Sequence, residues 1–261
     1  MRITQRSLAT ELACEYHLNS NNSPWLLKLP SLRQVNYGEH VQELMAEGPR
    51  TLEHPSFIVE FEKPCQSVEM ELVDALAKRK SSRDFSAQPT KMSKIGQLLG
   101  LSNGIRHLVG NGKDGHRNAP SAGGLGSCEV YLLALNVEGA EKGIYHYDVS
   151  AHQLRLLKAG DFKEWVWRMT LLQGELQEAG ALLFLASNQA KLRSKYGARA
   201  YRLGLLDAGH VSENVYLVAA ALDLAVTATG GFIDDEVNSA LGLDGVDDCV
   251  VLVLAVGEPT D

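Results

Sequence analysis

Arg79-Lys80-Ser81-Ser82-Arg83-Asp84-Phe85, then Ala119-Pro120-Ser121-Ala122-Gly123-Gly124, then Lys195-Tyr196: the order of these three segments decides how this chain of 261 residues reads. Three cations and two hydroxyls within five positions suit a phosphate, because Arg and Lys supply charge-assisted donors and Ser supplies compact ones. The same cluster also suits the end of a helix. Residues 68–78 carry Met70, Val73, Leu76 and Ala77 at helical spacing, so a basic run after them complements the partial negative charge of a helix C-terminus. Taken alone, the segment leaves both readings open.

Outward from these segments the pattern is that of an α+β protein. Residues 5–18 alternate at roughly helical spacing until Asn19-Ser20-Asn21-Asn22-Ser23-Pro24 breaks the pattern into a loop. Phe57 to Glu62 has strand character and Lys63-Pro64 ends it, which places a boundary between a helical N-terminal extension, 1–63, and a main domain, 64–261. Helices are expected near 68–80 and 92–102, followed by a glycine-rich loop over 103–127. Strands follow near 128–137, 143–148 and 152–158, the last two forming a hairpin around Val149-Ser150-Ala151. A helix near 161–174 leads to a buried strand at 181–186 and then to a long helix over 199–226. The part from Val215 to Ala225 is apolar nearly all round, so protein must enclose it, as a central helix or a subunit interface. A final strand spans 249–256. Helices around a mostly antiparallel sheet make the class α+β.

Composition narrows the function. With 45% hydrophobic residues the chain can bury a large core. A formal net charge of -7 opposes nucleic-acid and anionic-membrane binding. From Leu203 to Asp261 there is no Lys or Arg, so the cations for any phosphate lie earlier in the chain. Cys14, Cys65, Cys128 and Cys249 form no Cys-x-x-Cys pair and no His completes a ligand set, so no metal is expected and free thiols in a reducing compartment are. The N-terminus has no apolar signal region and no apolar run is long enough for a bilayer, so a cytoplasmic protein is expected. Gly110-Asn111-Gly112-Lys113-Asp114-Gly115 matches G-x-G-x-x-G, but that pattern binds a dinucleotide only where it joins a buried strand to a helix, and here polar residues precede it and Pro120 soon follows. Ser121 lacks the Gly-x-Ser-x-Gly frame of a nucleophile elbow. His210, in an apolar helix, reads as a hydrogen-bonded core residue rather than a catalyst.

Taken together, the basic segment, the Pro-Ser-Ala-Gly-Gly segment opening into Cys128-Glu129-Val130-Tyr131-Leu132-Leu133, and the run from Lys195 through Arg199-Ala200-Tyr201-Arg202 to His210 resemble the SagB-type branch of the flavin-dependent nitroreductase family. The resemblance runs from about residue 65 to the C-terminus, and Tyr16-His17 adds to it. It implies FMN as cofactor, bound between the subunits of a homodimer. Arg79, Lys80, Ser81 and Arg83 would hold the ribityl phosphate and pyrimidine edge. Pro120, Ser121, Ala122, Gly123 and Gly124 would lie against the isoalloxazine ring from the other subunit, where a close backbone approach requires minimal side chains. Gly230 and Gly231, after the long helix, would present backbone amides to the flavin. An ordinary turn before a strand and a plain helix C-cap are the alternatives for these two glycine segments.

The resemblance also implies the chemistry. Lys195 and Tyr196 match the Lys-Tyr pair of the branch's azoline oxidases, with Lys195 as general base. A base requires a depressed lysine pKa, which neighbouring cations and burial promote, although a solvated basic face is the commoner meaning of Lys191, Arg193, Lys195, Arg199 and Arg202. The implied function is oxidation of thiazoline or oxazoline to thiazole or oxazole in a peptide or carrier-bound substrate, in partnership with other biosynthetic enzymes. An NAD(P)H-dependent nitro or quinone reductase and a flavin-poor scaffold subunit are the other readings. Two departures from the branch stand out: Gly126-Ser127 replaces a common Tyr-Pro, which leaves space above the flavin or alters substrate fit, and a C-terminal basic residue is missing.

Overall fold

The computed structural model describes Leu12 and residues 15–17, 57–62, 68–109 and 114–260. In chain order the elements are β1 (Ile58–Glu60), α1 (Leu72–Lys78), β2 (Thr90–Lys91), α2 (Met92–Asn103), β3 (Ile105–Val109), β4 (Asp114–Arg117), β5 (Cys128–Ala134), β6 (Val137–Glu138), β7 (Gly143–Asp148), β8 (Gln153–Ala159), α3 (Lys163–Met169), β9 (Ala181–Asn188), α4 (Gln189–Tyr196), α5 (Ala200–Ala221), β10 (Ala225–Thr229), α6 (Asp234–Leu241) and β11 (Asp248–Gly257). Seven strands form one sheet in the order β1-β8-β7-β5-β9-β11-β10, and every neighbouring pair in it is antiparallel.

The strand sequences explain the layers. Successive side chains leave a strand on opposite faces, and here both faces are apolar. Val130, Leu132, Leu183, Leu185, Leu254 and Val256 point to one side, where Ile95, Leu98 and Leu99 of α2 and Val211, Val215 and Ala219 of α5 cover them. Tyr131, Leu133, Leu182, Phe184, Val253 and Ala255 point to the other, against Val166 and Met169 of α3 and Val237 and Leu241 of α6. Burial on two faces is why residues 181–186 read as an uninterrupted apolar run. Each fully buried Leu or Phe contributes roughly 1.5–3 kcal/mol of transfer free energy.

Several expected boundaries shift, each for a local reason. The long helix stops at Ala221 rather than 226, because Asp223 takes φ +52° and β-branched Val226, Thr227 and Thr229 pair with β11 as a strand. The helix expected over 161–174 ends at Met169, where Leu171 and Leu172 adopt φ of +54° and +67°. The glycine-rich stretch 103–127 is not all loop: β3 and β4 pair within it, and the G-x-G-x-x-G run ends inside β4, a strand rather than a helix. Helix α4 was not expected; Asn188 caps it by accepting the Lys191 N–H at 2.8 Å. The hairpin of β7 and β8 forms with Tyr147 opposite Leu154.

Before position 64, β1 is the edge strand of the main sheet, paired with β8. Residues 15–17 are helical, and most of the helix expected over 5–18, with the loop 19–24, lies outside the described residues. Among the described residues no helix is long and apolar enough to cross a membrane.

Candidate functional site

Lys195 and Tyr196 close helix α4, and the chain then turns through Gly197, at φ +55°, into α5. Lys195 is only 7% exposed, whereas Arg193 is exposed and paired with Asp247. The solvated-face reading therefore fits Arg193 and not Lys195. Lys195 Nζ lies 5.5 Å from the centroid of the Tyr196 ring, within cation–π range. Gly123 comes from more than seventy positions earlier to the same place: a Cβ there would stand 2.6 Å from Lys195 Nζ and closer still to Tyr196 Oη. Its φ of +60° adds a second reason for glycine.

The loop bearing Gly123 is held by α5 and β4. The Asp207 carboxylate, 3% exposed, accepts the Ala122 N–H at 2.9 Å on one oxygen and the Ser127 hydroxyl at 2.6 Å on the other. Burial raises the Asp207 pKa, and the bonds from Ser127 and Ala122 and the nearby His210 work against that rise. His210 is exposed rather than in the core, and its Nδ1 lies 3.2 Å from the Pro120 carbonyl. Within the loop, Ser121 Oγ accepts the Gly126 N–H at 2.9 Å. Arg117 stands beside Gly126: a Cβ there would lie 2.7 Å from its Nε.

Beneath this loop Arg117 and His146 both face the buried Glu129, at 3.4 and 3.3 Å. Burial pushes the Glu129 carboxyl up, but the His146 hydrogen bond and the charges of Arg117, His146 and Lys191 outweigh it and hold it below its ordinary range. A carboxyl depressed on folding contributes stability that is complete above its unfolded pKa of about 4.3 and is lost as pH falls through the folded value. Glu129→Gln is therefore expected to be less stable at neutral pH and to show a shallower loss between about pH 5 and pH 3. Urea unfolding across that interval checks it, and parallel acid limbs for the two proteins would refute it.

The basic segment sits at the opposite flank of α5. Residues 79–83 run extended beside β10, with the Ser82 N–H donated to the Val226 carbonyl at 2.8 Å. The Arg79 guanidinium stands 5.6 Å from the centroid of Tyr216. Ser81 Oγ is 3.1 Å from Tyr216 Oη, which accepts the Ala228 N–H at 2.8 Å. Arg83 is 3.4 Å from Glu175, and Lys80 lines a cleft of about 270 Å³ with Lys78, Ser82 and Asp223. The predecessor of this segment, α1, is a short helix, so Lys78 does complement its C-terminus while residues 79–83 lie beyond it.

Gly230 and Gly231 follow β10 along the same sheet edge. Gly230 is exposed, with nothing within 4 Å of a Cβ placed there. Gly231 donates its N–H to Thr229 Oγ1 at 3.0 Å, and its carbonyl accepts from Gln173 Nε2 at 2.9 Å. Gln173 follows the two left-handed leucines and also reaches Thr229 at 3.2 Å. Glu175, two residues on, meets Arg83.

The structure thus gathers the sequence-derived residues into two sets. Arg79, Ser81, Arg83, Gly230 and Gly231 share one sheet edge; Pro120 to Gly124, Lys195 and Tyr196 form the other set. Asp207 and Tyr216, which bind the two sets, are nine residues apart on α5, about 13 Å along its axis and about half a turn around it. The helix body stands between the sets.

The sequence assigns no role to Asp207 and Gln173, near the site, and Tyr16 enters only through the resemblance. The Tyr16 hydroxyl accepts the Arg202 N–H at 3.1 Å and donates to the Ala198 carbonyl at 3.3 Å, so it satisfies an orphan amide in the first turn of α5. Its ring stacks edge-on against Tyr201, and His17 meets Arg202. Residues 15–17 are thereby seated on the turn that follows Lys195-Tyr196. Tyr16 also walls a cleft of about 440 Å³ with Tyr201, Gly197, Ala198 and Cys249.

A model of the nitroreductase family matches residues 76–258. A nitroreductase-like protein of Methanocaldococcus jannaschii is 29% identical over 173 residues, covering 66% of this chain and 85% of that protein. Among solved structures, one from Anabaena variabilis ascribed to the nitroreductases superposes over 99% of this chain with a TM-score of 0.72 at 23% identity. This chain spans about half, 49%, of that longer one. One from Ralstonia eutropha covers 82% of this chain and 98% of its own, with a TM-score of 0.67 at 25% identity. A chain of the E. coli microcin synthetase McbBCD complex, with truncated pro-MccB17 bound, covers 96% of this chain and 93% of its own, with a TM-score of 0.61 at 20% identity. These superpositions carry the shared architecture, an antiparallel sheet between helices.

Proposed function

The chain belongs to the nitroreductase family, and from that premise we propose that it is an FMN-dependent oxidase of the SagB-type branch, converting thiazoline or oxazoline rings in a peptide or carrier-bound substrate to thiazole or oxazole. The observation that carries this reading is a buried lysine, Lys195, set with Tyr196 against a glycine whose backbone admits no side chain. A buried ionisable group in such a place is a catalytic candidate. The likeness to a chain of a microcin synthetase complex supports a substrate on a peptide.

The residues present fit FMN. Arg79, Ser81 and Arg83 offer charge-assisted and hydroxyl donors for one phosphate, and the open backbone at Gly230 and at Gly124 suits a flat ring. When bound, FMN supplies the two-electron acceptor and passes the electrons on to dioxygen. Lys195, as the neutral amine, takes a proton from the heterocycle, and the Tyr196 ring faces the ammonium that results. The glycine loop excludes water from the lysine.

The two sets lie on opposite flanks of α5, which supports a flavin site completed by the loop of a second copy. The outer face of α5 offers exposed Leu205 and Leu206, with open space at Gly209, and such a contact is core-like in an obligate dimer. Purified protein is expected to be yellow, to behave as a dimer in light scattering, and to release FMN rather than FAD on denaturation. A colourless protein that takes up no FMN, or a flavin-loaded monomer, would contradict this. An NAD(P)H-dependent reductase is the second reading, favoured by the description of the Methanocaldococcus jannaschii relative as a nitroreductase.

A further inference from the structure

Gly123, Gly124 and Gly126 all take left-handed φ, between +59° and +72°. Three glycines within four residues give the loop more conformational freedom than any other composition, and that freedom must be removed if Gly123 is to rest against Lys195. The internal bonds of the loop, Gly124 N–H to the Ser121 carbonyl at 3.1 Å and Gly126 N–H to Ser121 Oγ at 2.9 Å, shape it but do not fix it to the rest of the protein. Leu125 packs with Leu192 of α4 and Ala200 of α5, and the Ser127 carbonyl accepts the Asn188 N–H at 2.8 Å; between these points one buried carboxylate of α5 binds Ala122, immediately before Gly123, and the Ser127 hydroxyl at the loop's end. His210, one turn later on the same helix, meets Pro120 at the loop's start. Helix α5 is joined to Lys195-Tyr196 by three residues only, so the loop is hung on the unit that carries the lysine.

We propose that Asp207 is a positioning residue: by binding Ala122 and Ser127 it sets the loop 120–127 so that Gly123 closes over Lys195 Nζ and Tyr196 Oη. The meaning of this placement for catalysis rests on the base assigned to Lys195 above; the placement itself rests on contacts alone. Asp207→Asn keeps a carbonyl for the Ala122 N–H and loses the acceptor that faces Ser127, so it is the conservative variant. Asp207→Ala loses both bonds.

The test is amine acetylation of the folded full-length protein without added flavin or substrate, read lysine by lysine by peptide mass spectrometry. In wild type Lys195 is expected to react slowly relative to exposed Lys142. In Asp207→Ala it is expected to react at least ~10-fold faster, because two hydrogen bonds that hold the loop are gone, with Lys142 unchanged and Asp207→Asn between the two. Equal Lys195 rates in wild type and Asp207→Ala, at unchanged Lys142, would overturn the proposal. Should Asp207→Ala unfold, Ser127→Ala decides: it removes one bond, and a Lys195 rate no faster than wild type overturns the proposal equally. Since the measurement needs no turnover, a protein inert toward azolines but with a loop that opens in Asp207→Ala sinks the oxidase reading and leaves the positioning role standing.

Discussion

Lys195→Ala is expected to keep its fold and its FMN and to oxidise azolines about 10²- to 10⁴-fold more slowly, the usual worth of general-base assistance. The side chain lies at the end of α4 beside Gly123 and apart from the basic segment, so its removal leaves the phosphate donors intact. Tyr196→Phe is expected to lose less, because only a hydroxyl goes and the ring that faces Nζ remains. Single-turnover kinetics with a flavin-loaded variant separates a slow chemical step from weak binding. A rate within threefold of wild type for Lys195→Ala would remove the lysine from the chemistry, since loss of a general base costs ~10² or more in rate.

The double variant Arg79→Ala, Arg83→Ala is expected to lose FMN. Hydrogen bonds to charged groups are worth about 1.5–3 kcal/mol each, so losing two weakens binding by roughly 10²- to 10⁴-fold. Few cations can compensate, because no Lys or Arg follows Arg202 and Lys78 is held by Asp223. The fold tolerates the change, as both side chains sit at the surface of the sheet edge, Arg79 over Tyr216 and Arg83 beside Glu175. Fluorescence titration of apoprotein with FMN measures it, with Lys142→Ala as the control for net charge. Full flavin occupancy in the double variant at micromolar concentration would show that the phosphate binds elsewhere.

The sheet was readable in the sequence where strands are buried on both faces, because an apolar run such as residues 181–186 has no helical period and is bounded by small residues. The end of α5 was not: Val215 to Ala225 is apolar except for Asp223, and so nearly continuous an apolar run carries no period that separates the last helical turn from the first strand residue. The switch lies at Asp223, whose left-handed φ the sequence does not announce. Helix α4 escaped for the opposite reason. Only Leu192, Lys195 and Gln189 of its eight residues are buried, so it has no apolar stripe to show. Leu171 and Leu172 end α3 in a conformation that leucine rarely takes, and composition there argues for a longer helix.

For the candidate site, residue types were legible and company was not. Gly123 reads as a small residue in a turn, but its neighbours lie more than seventy positions away. Asp207 in an apolar helix looks like an interruption, and its purpose appears only when Ala122 and Ser127 are brought to it. Tyr16 gave a resemblance of two residues, whereas its bonds to Ala198 and Arg202 span more than 180 positions. His210 shows the converse: an apolar neighbourhood in sequence suggested burial, yet the outer face of α5 leaves it exposed to bond with Pro120.

The most direct measurement is anaerobic bleaching of the flavin absorbance of the loaded protein by an azoline-containing peptide and, separately, by NADPH, in wild type and in Lys195→Ala. The expected result is bleaching by the azoline peptide in wild type, at least ~10²-fold slower in Lys195→Ala, with NADPH a poor reductant of either protein. Rapid bleaching by NADPH, none by the azoline, and the same rates in Lys195→Ala would contradict the oxidase account and identify a reductase.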